Sequence, residues 1–199
     1  LENEGVKYIF GVPGEENADM MMSLLDSNIE FIICRHEQGA AFMADVWGRL
    51  TGTAGVCLGT LGPGATNLVT GVADSNMDRA PLIAITGQAD TRRLHKESHQ
   101  NMDVIGMFKP ITKWAQQILH PDNIPEIIRK GFKRAEAEKP GAVHIELPED
   151  IAKMSTGEVP IPKHKLRRPA PDHKSVATAV ELIKNAKNPL VLAGNGCVR

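Results

Sequence analysis

Short apolar runs alternate along the chain with longer stretches in which apolar residues recur every three or four positions. A strand buried on both faces of a parallel sheet reads as a continuous apolar run, whereas a helix packed on one side shows a period of about 3.6. The runs predict strands at residues 8–12, 31–34, 55–60, 81–86 and 142–147, with a strand-like run at 111–118. The periodic stretches predict helices at 18–25, 38–50, 65–77 and 124–137, and a short one at 102–108. The opening residues read as the tail of a helix that Gly5 stops. Pro81 opens its strand, where a missing N–H is tolerated. A polar loop spans about 88–101. Strands alternating with helices predict an α/β fold, a doubly wound, mostly parallel sheet with helices on both faces.

Pro160, Pro162, Pro169 and Pro171 break this rhythm among basic and polar residues. Such a composition predicts a stiff, extended linker. Beyond it, 175–186 reads as a helix and 190–193 as a strand. The expected organisation is a domain over 1–154, a Pro-rich linker over 155–172 and the truncated start of a second α/β domain over 173–199. The chain opens at Leu1 rather than at a Met and stops at Gly194-Asn195-Gly196, straight after an apolar run. Both features read as marks of a fragment of a longer protein.

The composition is that of a globular protein, with 42% hydrophobic and 24% charged residues. A net charge of −1 gives no electrostatic reason to expect a nucleic-acid partner. No apolar run is long enough for a membrane helix, and no signal peptide opens the sequence. Cys34, Cys57 and Cys197 are far apart, and two of them sit in apolar runs. They are expected to be free thiols in a reducing, cytoplasmic compartment. Without a C-x-x-C pair, a structural zinc site is not expected.

Three stretches carry candidate chemistry. Arg35-His36-Glu37-Gln38-Gly39-Ala40-Ala41 follows a strand and opens a helix, where open α/β sheets bind ligands. Glu37 there is equally a residue that complements the helix dipole, and His36 a structural hydrogen-bonder. With Ala40 in place of a second His, this is no zincin motif. Gly59-Thr60-Leu61-Gly62-Pro63-Gly64-Ala65-Thr66-Asn67 is either a cradle for a ligand at a helix N-terminus or a tight connection needing glycine. It lacks the Lys-Ser/Thr of a Walker A loop, and the next strand ends Thr86-Gly87-Gln88 without the acid of a dinucleotide site. His95 and His99 are four apart, which would suit a metal on a helix. With no third ligand in view, a polar loop over a site is the better reading.

The order of these stretches carries a resemblance. Gly11-Val12-Pro13-Gly14, His36-Glu37-Gln38-Gly39-Ala40-Ala41-Phe42-Met43-Ala44-Asp45, Gly62-Pro63-Gly64-Ala65-Thr66-Asn67 and Pro81-Leu82-Ile83-Ala84-Ile85-Thr86-Gly87-Gln88 follow one another. Together they resemble the N-terminal, pyrimidine-binding domain of thiamine diphosphate enzymes of the pyruvate oxidase and acetolactate synthase type, over about 1–150. The resemblance implies that Glu37 faces N1′ of the cofactor's aminopyrimidine. Sharing a proton there favours the 4′-imine that deprotonates the thiazolium C2. For that role burial must outweigh the helix N-terminus in setting the state of the carboxyl. It also implies that Pro13, Gly14, Thr60, Pro63 and Asn67 line or edge the pyrimidine pocket, and that Gln100 lies near the reacting carbons. Gly39, Ala40, Ala41 and Ala44 match helices that meet across the family's dimer interface, although packing on the domain's own sheet would explain them too.

The run His99-Gln100-Asn101-Met102-Asp103, with Met107-Phe108 and Pro110-Ile111-Thr112-Lys113, looks like acetolactate synthases, including the catabolic, flavin-independent kind. Glu15-Glu16 departs from the flavin-containing biosynthetic kind, which carries small residues there, so FAD stays open. The expected function is carboligation, in which pyruvate is decarboxylated and its two-carbon unit is transferred to a second 2-keto acid. Another thiamine diphosphate-dependent 2-keto acid decarboxylase or oxidase is the alternative. A non-catalytic nucleotide-binding module is the alternative of another class. The resemblance further implies a homodimer or dimer of dimers, scope for a regulatory subunit, and Mg²⁺ held by a C-terminal domain. By that account these residues alone would be inactive.

Overall fold

The computed structural model describes residues 1–164 and 169–198, so one part of the linker expected over 155–172, residues 165–168, lies outside the described residues. The chain divides into two compact units, Leu1–His164 and Lys165–Arg199.

The first unit contains β1 (Tyr8–Gly11), α1 (Ala18–Ser23), β2 (Glu30–Ile33), α2 (Glu37–Thr51), β3 (Gly55–Gly59), α3 (Pro63–Met77), β4 (Leu82–Gln88), α4 (Val104–Phe108), β5 (Trp114–Gln117), α5 (Ile124–Glu136), β6 (Ala142–Pro148) and α6 (Glu149–Lys153). The strands form one sheet in the order β2-β1-β3-β4-β6-β5, and every pairing is parallel. This is the expected doubly wound α/β fold. β5 is narrower than its apolar run because the 3-10 turn Lys109–Ile111, with Pro110 inside it, takes up the start. The five-residue α6 had no periodic signature to announce it.

Strand alternation sends large and small side chains to opposite faces. Val56, Leu58, Ile83, Ile85, Val143 and Ile145 pack with Phe132 of α5 and the half-buried Met20 and Met21 of α1. Cys57, Leu82, Ala84 and Ala142 pack with Ala40, Ala41, Ala44, Ala65 and Leu68 of α2 and α3. The small residues let α2 approach the sheet closely and let α2 and α3 approach each other. A Cβ on Gly55 would lie 2.0 Å from the Ala44 carbonyl oxygen, and one on Gly71 2.6 Å from Ala41 Cβ. Gly55→Ala must therefore push back the backbone of α2. The expected loss of stability is about 1–3 kcal/mol, read as a lowered urea midpoint. An unchanged midpoint would show that α2 can retreat freely.

The order of the strands creates the site. After β1 the chain turns to β2 at one edge, and after β3 it runs to β4 on the other side. The carboxyl ends of β1 and β3 thus diverge, leaving the crevice in which open α/β sheets take ligands.

The second unit holds α7 (His173–Asn185), whose first turn is capped by Asp172 accepting from Ser175 N–H at 2.8 Å. The strand expected at 190–193 is not formed: these residues are irregular, with Leu190 94% and Leu192 96% exposed. An apolar run becomes a strand only when a neighbour accepts its hydrogen bonds, and the described residues offer it none.

Candidate functional site

Glu37 is the first residue of α2, directly after the β2 connection. His36 caps the helix, its Nδ1 accepting from Gln38 N–H at 3.1 Å, so the structural reading of this histidine is the one observed. One turn into α3, Asn67 Nδ2 donates to Glu37 Oε2 at 2.9 Å. Glu37 Oε1 accepts no hydrogen bond among the described residues. Glu37 is half-buried rather than enclosed in the single chain.

The glycines keep open the space beside this carboxyl. A Cβ on Gly64 would fall 2.5 Å from Thr60 Oγ1 and 3.5 Å from Glu37 Oε1. One on Gly14 would fall 2.1 Å from Thr60 Cγ2. Thr60 thus stands between the β1 turn and the first turn of α3. Asn17, which the sequence reading missed, holds the β1 turn in place. It is buried, accepts from Gly14 N–H at 2.9 Å and donates to the Val12 carbonyl at 3.3 Å. Its signal was weak, a lone polar residue ahead of α1.

Gln100 packs against the turn that leads into α3. Gly62 has φ +53, and a Cβ there would lie 2.8 Å from Gln100 Cβ. Gln100 itself has φ 55. The structure therefore brings together Gly14, Glu37, Thr60 and Asn67, and sets Gln100 against Gly62 in the neighbouring turn. Pro13 and Pro63, at the first position of α3, are exposed flanks with no described contact to the carboxyl. His95 and His99 lie on irregular backbone, so their spacing is not realised on a helix. Among the described residues no group of three or more His, Cys, Asp or Glu is placed to hold a metal ion. No described helix is long and apolar enough to cross a membrane.

The most shifted titratable groups lie away from this crevice. Burial pushes the Glu146 carboxyl up to about 7 and lowers His144 to about 3. It also raises the Cys57 thiol, which keeps that cysteine unreactive.

Residues 1–107 match the family described as thiamine pyrophosphate enzyme, N-terminal TPP binding domain. The chain belongs to this family. Among its relatives is a protein of Methanocaldococcus jannaschii named "Probable acetolactate synthase large subunit", 43% identical over all of this chain and 35% of the relative. The catabolic acetolactate synthase of Raoultella terrigena is 40% identical over 98% of this chain and 35% of the relative. The acetolactate synthase isozyme 1 large subunit of Escherichia coli is 36% identical over all of this chain and 36% of the relative. The chain thus spans about a third of the length of these relatives.

The crevice suits the family's cofactor in one respect that geometry can test. It offers one carboxylate with an oxygen fixed by Asn67 and the other open, beside space that side chains on Gly14 and Gly64 would fill. A flat ring needs such space, and its nitrogen needs such an oxygen.

Proposed function

We propose that this chain is the pyrimidine-binding part of a thiamine diphosphate-dependent acetolactate synthase. The observation that carries the reading is the Asn67–Glu37 hydrogen bond at the β1/β3 crevice, 2.9 Å long. Bound thiamine diphosphate supplies the electron sink that decarboxylation of a 2-keto acid requires. Asn67 fixes one oxygen of Glu37 and so presents the other to N1′ of the pyrimidine, where it exchanges a proton. Gly14, Thr60 and Gly64 shape the ring's slot, with Pro13 and Pro63 at its rim. Gln100, seated on Gly62, reaches toward the reacting carbons.

The diphosphate needs Mg²⁺ and oxygen ligands, which we assign to a C-terminal domain of a second subunit. The outward side of α2 supports a homodimer or dimer of dimers. Phe42, Met43, Val46, Trp47 and Leu50 line a shallow apolar groove there, with Val46 48% and Leu50 81% exposed. An exposed apolar stripe on a helix favours burial against another surface. Ala40, Ala41 and Ala44 instead face this chain's own core. The names of two relatives as large subunits support a regulatory partner.

Product analysis tests the whole. The full-length protein, given pyruvate, Mg²⁺ and thiamine diphosphate, is expected to form acetolactate, and parallel reactions with and without FAD decide the flavin requirement. Acetaldehyde or acetate in place of acetolactate would shift the reading to a decarboxylase or oxidase.

A further inference from the structure

Outside the crevice, Glu146 of β6 is 2% exposed and ends a chain of hydrogen bonds that leads back toward it. Glu146 Oε1 accepts from Gln88 Nε2 at 2.9 Å, and Oε2 from Gln117 Nε2 at 2.7 Å. Gln88, itself 2% exposed, also donates to the Met102 carbonyl at 3.3 Å and accepts from Ala89 N–H at 2.9 Å. With both ends of its amide engaged, Gln88 cannot turn over without setting its NH₂ against the Ala89 N–H. Its orientation is fixed by the Ala89 N–H at one end of the amide and by the Glu146 carboxyl group at the other.

Met102 lies two residues after Gln100. The segment that joins β4 to α4 is tied at its start, where Thr91 N–H and Oγ1 donate to Asp150 of α6 at 3.1 and 2.6 Å. Its later part stands over a cavity of about 680 Å³, lined in part by Leu94, Lys96, Met102, Gln117 and Glu146. Packing beneath it is therefore open. Gln100 is also held in the left-handed conformation, φ 55, which a residue with a side chain keeps only where its surroundings impose it. In the floor of the cavity both Nε2 hydrogens of Gln88 are engaged within the protein, and each Glu146 oxygen already accepts one hydrogen bond.

We propose that Glu146 is a positioning residue that acts through Gln88 to pin the Met102 end of the Gln100 segment. Burial is tolerated at Glu146 because two amide donors meet it. Asp103 opposes its charge, and His95, Lys96 and Lys109 line the cavity around it. The catalytic use of the pin rests on the reading of Gln100 given above; the pin itself does not.

The test uses the full-length enzyme. Glu146→Leu fills the space and removes the acceptor. Amide hydrogen exchange in 94–103 is expected to quicken roughly tenfold, the loss of one anchoring hydrogen bond, and turnover to fall by a similar factor. Glu146→Gln should restore both. Its carbonyl still accepts from Gln88, and Gln117, whose Oε1 accepts nothing among the described residues, can turn to receive the new NH₂. In a Gln100→Ala background, Glu146→Leu should cost little further turnover. Unchanged exchange in Glu146→Leu, or a Glu146→Gln variant as loose as the Leu one, overturns the proposal. Faster exchange in Glu146→Leu, beside a fully active Gln100→Ala enzyme, upholds the pin and fails the reading of Gln100. Should Glu146→Leu not fold, Gln88→Met removes the same bridge and carries the same expectation for exchange.

Discussion

Glu37→Gln in the full-length enzyme is expected to slow exchange of the cofactor's C2 proton by roughly 10²–10⁴-fold, the span that a positioned proton-transfer group contributes. The fold should survive, because Glu37 is half-buried and its contact to Asn67 can be kept. That contact also decides the outcome. Asn67 Nδ2 donates to Glu37 Oε2 at 2.9 Å, so the amide of the variant turns its carbonyl oxygen to Asn67. Its NH₂ then occupies the place of Oε1 and faces the pyrimidine. An amide there donates a hydrogen bond to N1′ but neither gives nor takes a proton. Binding of thiamine diphosphate should weaken far less than the exchange rate, because the slot framed by Gly14, Thr60 and Gly64 is unaltered. Proton NMR of bound cofactor quenched after timed exposure to deuterium oxide measures the rate. An exchange rate equal to the wild type would remove Glu37 from the proton path.

The fold was legible where a local period reports burial. β3, β4 and β6 are apolar runs buried on both faces, and α2, α3 and α5 each present one apolar side. The bringing together of Glu37 and Asn67, thirty positions apart, followed from topology, since each stands on the helix that follows a strand's carboxyl end. Contacts that depend on side chains from separate strands were not legible. Gln88 and Glu146 are 58 positions apart, and neither sequence context announces a pair. Asn17 reads as an ordinary polar residue until the β1 turn it holds is seen. The run at 190–193 failed for a different reason. A period can state that a segment would suit a sheet, but the strand needs a partner that the described residues do not supply.

His144 and Glu146 are expected to give this chain opposing pH dependences that a single substitution separates. His144 is fully buried, stacked on Phe108 with ring centroids 4.1 Å apart. Its Nε2 lies 2.8 Å from Thr86 Oγ1, and its Nδ1 has no described partner. Burial holds it at about 3, against an ordinary 6.5. The unfolded chain therefore takes up a proton that the folded one refuses, and stability is lost as pH falls from 6.5 toward 3. Glu146 behaves in the reverse sense. Burial, aided by the nearby charge of Asp103, outweighs the hydrogen bonds from Gln88 and Gln117 and raises it from 4.5 to about 7. The folded chain keeps a proton that the unfolded one releases, so this stability is present below 4.5 and lost as pH rises toward 7. Each slope is at most about 1.4 kcal/mol per pH unit. Between 4.5 and 6.5 they cancel.

Glu146→Gln removes one of the two. The stability of the variant relative to the wild type should rise by about 3 kcal/mol between pH 4 and pH 8, the value of a shift from 4.5 to about 7. Exposed carboxylates common to both proteins drop out of that difference. The variant alone should lose stability steadily as pH falls below 6.5, where the wild type gains an opposing contribution from its protonating glutamate. Urea unfolding of the two chains at pH 4, 5.5 and 8 measures both effects. Parallel curves would mean that Glu146 titrates in the fold as it does in the unfolded chain, with the hydrogen bonds from the two glutamine amides offsetting its burial.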